Sequence, residues 1–437
     1  MPAKPFHLGW FLSFRPPSWQ SPFCSVSDAR EWGAGDFYVD FGRSLERAGF
    51  DYMMVEDSSM VSDIYAGTYE MDLKHALYAP KHDPVALVPF ITGATKHLGV
   101  VATMSTSFYP PFMLARTMAT LDHLSRGRVG WNIVTSSEDR AAQNFGMESL
   151  PDHDERYDRA DEFVEVVEKL WNSWEPDAFL LDRASGKYAD AAKVHPIDHA
   201  GRYFKVRGPL NTTRSPQGRP VFCQAGGSPR GRTFAAAHAE TVIASAHGLE
   251  AMCEFREDIR ARMVQAGRDP NSCKVLFVVS PVIGATDQEA RLADEQRHDP
   301  ATQRQRAETA LGHLSCLTEN DFSVYEMDAP IPDVTTNGHR STLADFIRQG
   351  TRGRTLAEVA SEWSIESIPL VGTPTSVAAQ MDEAMAEVGG DGFLIMGPTT
   401  RRYISEITDG LAPALQARGL TRASYSHATF RDNLMEF

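Results

Sequence analysis

Short apolar runs recur along the chain, each closing on polar residues and each followed by a stretch of helical spacing. Eight of them read as strands: "HLGWFLSF" (7–14), "DYMMVED" (51–57), "HLGVVATMST" (97–106), "GRVGWNIVT" (127–135), "PVFCQAGG" (220–227), "TVIASA" (241–246), "KVLFVVSPVIG" (274–284) and "DGFLIMGP" (391–398). Their apolar positions are nearly continuous, not alternating, as expected of strands covered on both faces in a parallel sheet. Helices are predicted over 37–49, 111–125, 158–174, 229–239 and 249–267. In the last, apolar side chains return at helical spacing and Gly267 supplies the stop. Strands alternating with helices predict an α/β fold, a (β/α)8 TIM barrel, with a doubly wound open sheet as the alternative. Residues 175–219 and 288–370 break the rhythm. Both are too long for barrel connections of a few residues and are expected as insertions over the C-terminal mouth of a single domain spanning 1–437.

Composition narrows the possibilities. The 437 residues exceed the ~250 at which single cores usually stop growing, but barrels with insertions reach roughly 400 or more. A net charge of −15 argues against a general nucleic-acid or membrane surface, since both need basic patches. No N-terminal run resembles a signal peptide and no stretch of ~18 apolar residues is uninterrupted, so the cytoplasm is the expected location. The five cysteines, at 24, 223, 253, 273 and 316, form no CxxC pair. They read as reduced thiols, mostly buried, and no metal site is expected from them or from the fourteen scattered histidines.

In such a barrel, chemistry sits at the C-terminal ends of strands and in the loops after them. That rule selects Trp10, Phe11 and Ser13 from the first strand and Asp57 from the second. It selects Thr103 and Ser105 from the third, Asn132 and Thr135 from the fourth, and Gly226, Gly227 and Ser228 from the fifth. Amides, hydroxyls, one carboxylate and large aromatics suit a flat, hydrogen-bonding heterocycle better than a metal. No HExxH, GxSxG or Walker loop occurs. In "QAGGSPRGR" (224–232), two glycines permit close backbone approach, Ser228 is a good helix cap and Pro229 suits the first helical position. A helix start of this kind binds phosphate, although a well-capped helix without a ligand has the same pattern. His153 and Tyr157 are four residues apart, hence on one helix face. They face a ligand together, or they are an ordinary helix start whose Asp154 and Glu155 favour the dipole.

Four motifs in order, "GRVGWNIVTSSEDRAAQNFG", "HDERYDRADEFVEVVEKLWNSW", "GRYFKVRGPLN" and "SPQGRPVFCQAGGSPRGR", resemble the bacterial-luciferase-like flavin monooxygenases. More narrowly, they resemble the branch containing nitrilotriacetate monooxygenase, pristinamycin IIA synthase and dibenzothiophene-sulfone monooxygenase. The likeness runs from the first strand to the tail "TFRDNLMEF", while 60–83 and 300–345 depart from the pattern. The resemblance implies reduced FMN as co-substrate, supplied by a separate NAD(P)H:flavin reductase, with O2 and a small organic substrate as the other reactants. It carries flavin contacts onto Asp57, Thr103, His153, Tyr157, Gly227 and Ser228, and makes His153, Asn132 and Thr135 the catalytic candidates. Trp10, Phe11, Phe108 and Phe145 are expected to line a dry substrate pocket. The implied reaction is monooxygenation with C–S, C–N or carbon–halogen cleavage. An aromatic, halogenated or organosulfur substrate is favoured by the start "GWFLSFRPPSWQSPF". An aminopolycarboxylate would need cations at the mouth, for which Arg15, Lys74, Lys81 and Arg140 are the candidates. A deazaflavin-dependent oxidoreductase and a non-catalytic flavin-binding protein remain as alternatives. The family likeness also implies a homodimer or homotetramer, with the 111–125 helix as a packing face.

Overall fold

The computed structural model describes residues 4–16, 28–350 and 353–437. Eight parallel strands close into a barrel, and each falls within a run read from the sequence. They are β1 (His7–Ser13), β2 (Tyr52–Glu56), β3 (Gly99–Ser105), β4 (Val129–Val134), β5 (Val221–Gln224), β6 (Thr241–Ala244), β7 (Lys274–Val279) and β8 (Gly392–Ile395). Every strand pairs with its sequence neighbours, and β1 closes the ring against β8. The closed ring excludes the open-sheet alternative.

The apolar runs are continuous because both faces of every strand are buried. One set of alternate residues, including Tyr52, Met54, Val101, Val221, Leu276 and Leu394, fills the barrel interior. The other, including Leu8, Trp10, Val100, Trp131, Phe222 and Phe393, packs outward against the helices. Phe430 stoppers the N-terminal end. A Cβ at Gly99 would stand 2.6 Å from its ring, so this contact requires glycine there. At the same end Asp51 accepts from Arg422 Nη2 at 2.6 Å and from the Leu8 amide at 3.1 Å, tying the tail to the barrel.

Helices over Gly35–Arg47, Pro111–Ser125, His153–Trp171, Pro229–His238 and Leu249–Gln265 lie close to their expected positions. Two more, Pro84–Ala94 and Pro374–Val388, escaped the sequence pattern. The first, "PVALVPFITGA", has no polar stripe to betray its period. No helix among the described residues is long and apolar enough to cross a membrane. Cys223, Cys273 and Cys316 are buried, Cys253 is half-buried, and all four are free thiols, while Cys24 lies outside the described residues.

Residues 288–370 leave the C-terminal end of β7. They bring in the helices Gln303–Thr318, Arg340–Gly350 and Leu356–Glu362. The segment meets the loops after β2 and β4: Asp321 accepts from the Ala66 amide, and Glu319 from the Asp139 amide. Contrary to expectation, residues 175–219 do not lie over the mouth. They join the C-terminal end of the His153–Trp171 helix to the start of β5, at the opposite end of the barrel. Two small hairpins, Phe179–Asp182 with Lys187–Ala189 and His199–Ala200 with Lys205–Val206, carry this stretch. It packs on the outside of the helix, where Glu162 accepts from the Tyr203 and Phe204 amides. The direction of the preceding helix decides this placement, which length and polarity leave open.

Candidate active site

At the C-terminal end of the barrel, β4 lies between β3 and β5. Asn132 is in register with both Thr103 and Cys223. The Asn132 and Thr103 side chains are buried, and Asn132 Nδ2 donates to Thr103 Oγ1 at 2.9 Å. The Thr103 hydroxyl points its proton at the Met54 thioether, 3.8 Å away. Its oxygen therefore accepts from the amide, which turns Asn132 Oδ1 away. That oxygen is buried and has no partner. Such a group costs about 1–3 kcal/mol unless a ligand N–H meets it, so this wall suits a hydrogen-bonding heterocycle. Beyond β4, Thr135 is buried and its carbonyl accepts from Ser107 Oγ at 2.8 Å, fastening the β4 loop to the β3 loop.

The next strand over presents a helix start. Ser228 Oγ caps the Pro229–His238 helix by accepting from the Gly231 amide at 3.0 Å, as its sequence context predicts. His153 Nε2 stands 3.4 Å from the same hydroxyl, and its Nδ1 lies 2.6 Å from Asp154 Oδ1. Burial, with Arg340 and Arg156 nearby, holds the His153 imidazole below its ordinary pKa despite the Asp154 bond. The Tyr157 ring packs 5.2 Å from His153, and burial raises its phenol pKa against the pull of Arg156, Gln224, Arg230 and Ser228. Gly227 lies against the insertion: a Cβ there would stand 2.9 Å from Ser341 Oγ, so a side chain at 227 would have to displace that hydroxyl. His153, Tyr157, Gly227 and Ser228, separated by up to 75 residues in sequence, thus converge on one helix start.

Asp57 sits on the far side of the mouth. Burial pushes its carboxyl up to about 6, Asp83 and Glu56 push the same way, and Lys81 opposes them. Of the four aromatic residues expected to line a pocket, Trp10 does not. Its ring is fully buried on the outer face of β1, edge-on to Phe41 at 4.9 Å and beside Tyr403. Phe11, its neighbour in sequence, points into the barrel instead. Phe108 and Phe145 stack at 4.4 Å with nearly parallel rings at the mouth, and Phe145 is 47% exposed. Beside them a cavity of about 420 Å³ is lined by Met60, Val61, Tyr69, Leu73, Arg140, Gln143 and Asn144. Trp19 and Phe23 of the aromatic start lie outside the described residues.

Of the candidate cations, Lys81 and Arg140 are already paired, and the insertion adds histidines that the sequence did not single out. Lys81 Nζ pairs with Glu56 Oε1 at 2.9 Å, and with Arg15 it draws the Glu56 carboxyl down to about 2 against its burial. Arg15 donates to the Ala76 and Leu77 carbonyls, and Arg140 pairs with Asp63. His313 lies 5.0 Å from the Tyr78 ring and 5.5 Å from Trp363, with its imidazole pushed down to about 3 by burial and by Arg15. The Tyr78 hydroxyl is buried and unpartnered. His339 is exposed at the start of the Arg340–Gly350 helix. Isolated histidines on an insertion carry no local signal. Only the folding of 288–370 back over the barrel brings them to the mouth.

The chain matches the model of the luciferase-like monooxygenases over residues 6–392. It is 38% identical over 420 residues to the dibenzothiophene-sulfone monooxygenase of Rhodococcus erythropolis, covering 92% of this chain and 90% of that one. It is 35% identical to nitrilotriacetate monooxygenase component A of Aminobacter aminovorans over 408 residues, 91% and 89% of the two chains. Among solved structures, a riboflavin lyase with modified FMN and riboflavin superposes with a TM-score of 0.90 at 33% identity, covering 99% of this chain and 96% of that one. With barrel, mouth and whole-length likeness in agreement, this chain belongs to the luciferase-like monooxygenase family, whose members are flavin-dependent enzymes.

Proposed function

We propose that this chain is the oxygenase component of a two-component system. It takes reduced FMN from a separate NAD(P)H:flavin reductase and transfers one oxygen atom of O2 to a small, uncharged aromatic, halogenated or organosulfur substrate. The observation that carries the cofactor reading is the unpartnered Asn132 Oδ1 on the strand beside a capped helix start held by His153 and Tyr157. A ring with N–H groups fits the first, and a phosphate fits the second. Ser228, His153, Tyr157 and the backbone at Gly227 would hold the phosphate, while Asn132, Thr103 and Thr135 would line the ring and Asp57 would face it from β2. When bound, the reduced flavin supplies the electrons that split O2 between product and water.

The protein's own part is to bind, orient and keep the chamber dry. His153 has its Nδ1 on a carboxylate and its Nε2 on a hydroxyl, a geometry for holding the phosphate end. Phe11, Phe108 and Phe145 supply the apolar lining. The substrate class rests on the cations. Lys81 is paired with Glu56, Arg140 with Asp63, and Arg15 is spent on two carbonyls. Lys74 stands exposed on the short helix Glu70–His75. A polycarboxylate would have to break these pairings, so a neutral substrate fits better. Bare Phe90, Met113 and Leu124 on the Pro84–Ala94 and Pro111–Ser125 helices favour a homodimer or homotetramer; light scattering that reports a monomer would refute this part.

The test is oxygen uptake by the chain with FMN, a flavin reductase and NADH, against a panel split by chemical class. Substrate-dependent oxygenation of a neutral sulfone, sulfide, haloaromatic or aromatic compound is expected. Turnover confined to polycarboxylates would refute the substrate class, and a requirement for a deazaflavin would refute the cofactor.

A further inference from the structure

The helix Arg340–Gly350 begins beside the same place as two others. His153 opens one helix and Ser228 caps a second. The segment leading into the third is docked onto them: Asn337 Oδ1 accepts from the His153 amide at 2.7 Å, and the Asn337 carbonyl accepts from Arg156 Nη2 at 2.7 Å. Ser341 lies so close to Gly227 that any side chain at 227 would meet it. Three helix starts therefore surround one spot; the His153, Gly231 and Arg340 amides are taken by Asn337 Oδ1, Ser228 Oγ and the Gly338 carbonyl, and the other first-turn amides have no intrahelical acceptor.

Arg340 Nη1 reaches only Asp154 Oδ1, at 3.4 Å, and that carboxylate oxygen already takes His153 Nδ1 at 2.6 Å. The Arg340 side chain is 45% exposed, although it stands between two helix starts. Arg156 is fully buried and its Nε has no acceptor. Arg340 and Arg156 both push the His153 proton off. Asp154 answers Arg340 and His153, and Glu138 and Asp139 answer Arg156, so it is the exposed Arg340 guanidinium beside the positive helix ends that suits a multivalent anion.

We propose that Arg340 and Ser341 form the third wall of the cradle for the flavin phosphate, so that a bound phosphomonoester dianion also latches the insertion over the substrate chamber. This rests on the FMN reading and extends it from the barrel to the insertion. The guanidinium supplies a planar two-pronged donor, and the Ser341 hydroxyl and first-turn amides supply the rest. The latch follows from connectivity. His339 adjoins Arg340, and His313 and Trp363 lie on the same insertion and pack on Tyr78 or each other at the mouth. Ordering 337–341 through the phosphate orders the cover that the substrate meets.

The test compares FMN with riboflavin, which lacks the phosphate, on the full-length wild type and on Arg340→Gln, Arg340→Lys and Ser341→Ala. Arg340→Gln should weaken FMN binding roughly tenfold or more while riboflavin binding stays unchanged, the scale of a lost charge-assisted hydrogen bond. Arg340→Lys should fall between, and Ser341→Ala should lose less. Hydrogen exchange provides the second readout: FMN should slow exchange in 318–343 of the wild type and fail to do so in Arg340→Gln. A wild type that prefers FMN over riboflavin, with Arg340→Gln keeping the same preference, would overturn the third wall and leave the FMN reading standing. Exchange in 318–343 untouched by FMN in the wild type would overturn the latch. A wild type that does not distinguish FMN from riboflavin would overturn the FMN reading together with this one.

Discussion

Replacing Asn132 with leucine separates what this residue does for the fold from what it does for the ligand. The side chains are similar in volume and the site is buried, so packing changes little. For the ligand-free protein, two effects oppose each other. The variant loses the 2.9 Å bond from Nδ2 to Thr103 Oγ1, a net contribution of about 0.5–1.5 kcal/mol. It also removes Oδ1, a buried acceptor without a partner, whose desolvation costs about 1–3 kcal/mol. Thr103 keeps its contact with Met54, so no new orphan donor appears. The thermal midpoint of the ligand-free variant should therefore equal or slightly exceed that of the wild type. Flavin binding moves the other way. A ring N–H that met Oδ1 would face a methyl group in a dry wall, costing about 1–3 kcal/mol, or roughly 5- to 150-fold in Kd. The assay is a pair of measurements on one preparation: calorimetric unfolding without flavin, and fluorescence titration with FMN and with riboflavin. Both flavins should weaken alike, because the ring and not the phosphate is at stake. Unchanged affinity for both flavins would refute the assignment of the β4 wall to the ring.

Ser228→Ala should weaken FMN binding by about 1–2 kcal/mol, and Tyr157→Phe by less; titrations that leave both at wild-type affinity would put the phosphate elsewhere. Glu319 is pushed up to about 7, first by burial and then by Asp139 and Glu138, against the Asp139 amide that it accepts. Its protonated form therefore contributes stability that is whole below the ordinary glutamate range near 4.5 and is lost as pH rises through about 7. Glu319→Gln should match the wild type in thermal unfolding at pH 5 and exceed it at pH 8, and a constant difference across that window would contradict the assignment. The chain alone, given FMN, NADH and substrate, should turn over negligibly and recover when any flavin reductase is added, because no strand–GxGxxG–helix unit occurs in it. Robust NADH oxidation without the reductase would point to a self-sufficient enzyme.

Much of the fold was legible in local pattern. A strand buried on both faces writes a short continuous apolar run, and eight such runs became the eight staves of the barrel. The Ser228 cap was equally local, since the glycines, the hydroxyl and the proline act within one turn. The i, i+4 spacing of His153 and Tyr157 is a property of any helix, and their rings do stand side by side. The same continuous runs, however, hide which alternate side chains point inward. With no polar face to break the symmetry, Trp10 and Phe11 look interchangeable, and only closure of the ring sends Trp10 outward to Phe41 and Phe11 inward. Long polar stretches also look alike in sequence. Whether such a stretch follows a strand or a helix decides which end of the barrel it reaches, and that placed 288–370 at the C-terminal end of β7 and 175–219 against an outer helix. Asn337, Arg340 and Ser341 stand next to His153 and Gly227 across more than a hundred residues of chain. No propensity or spacing encodes such a meeting. The burial of insertion helices against one another and against the β2 and β4 loops brings it about, and those contacts exist only once the barrel has closed beneath them.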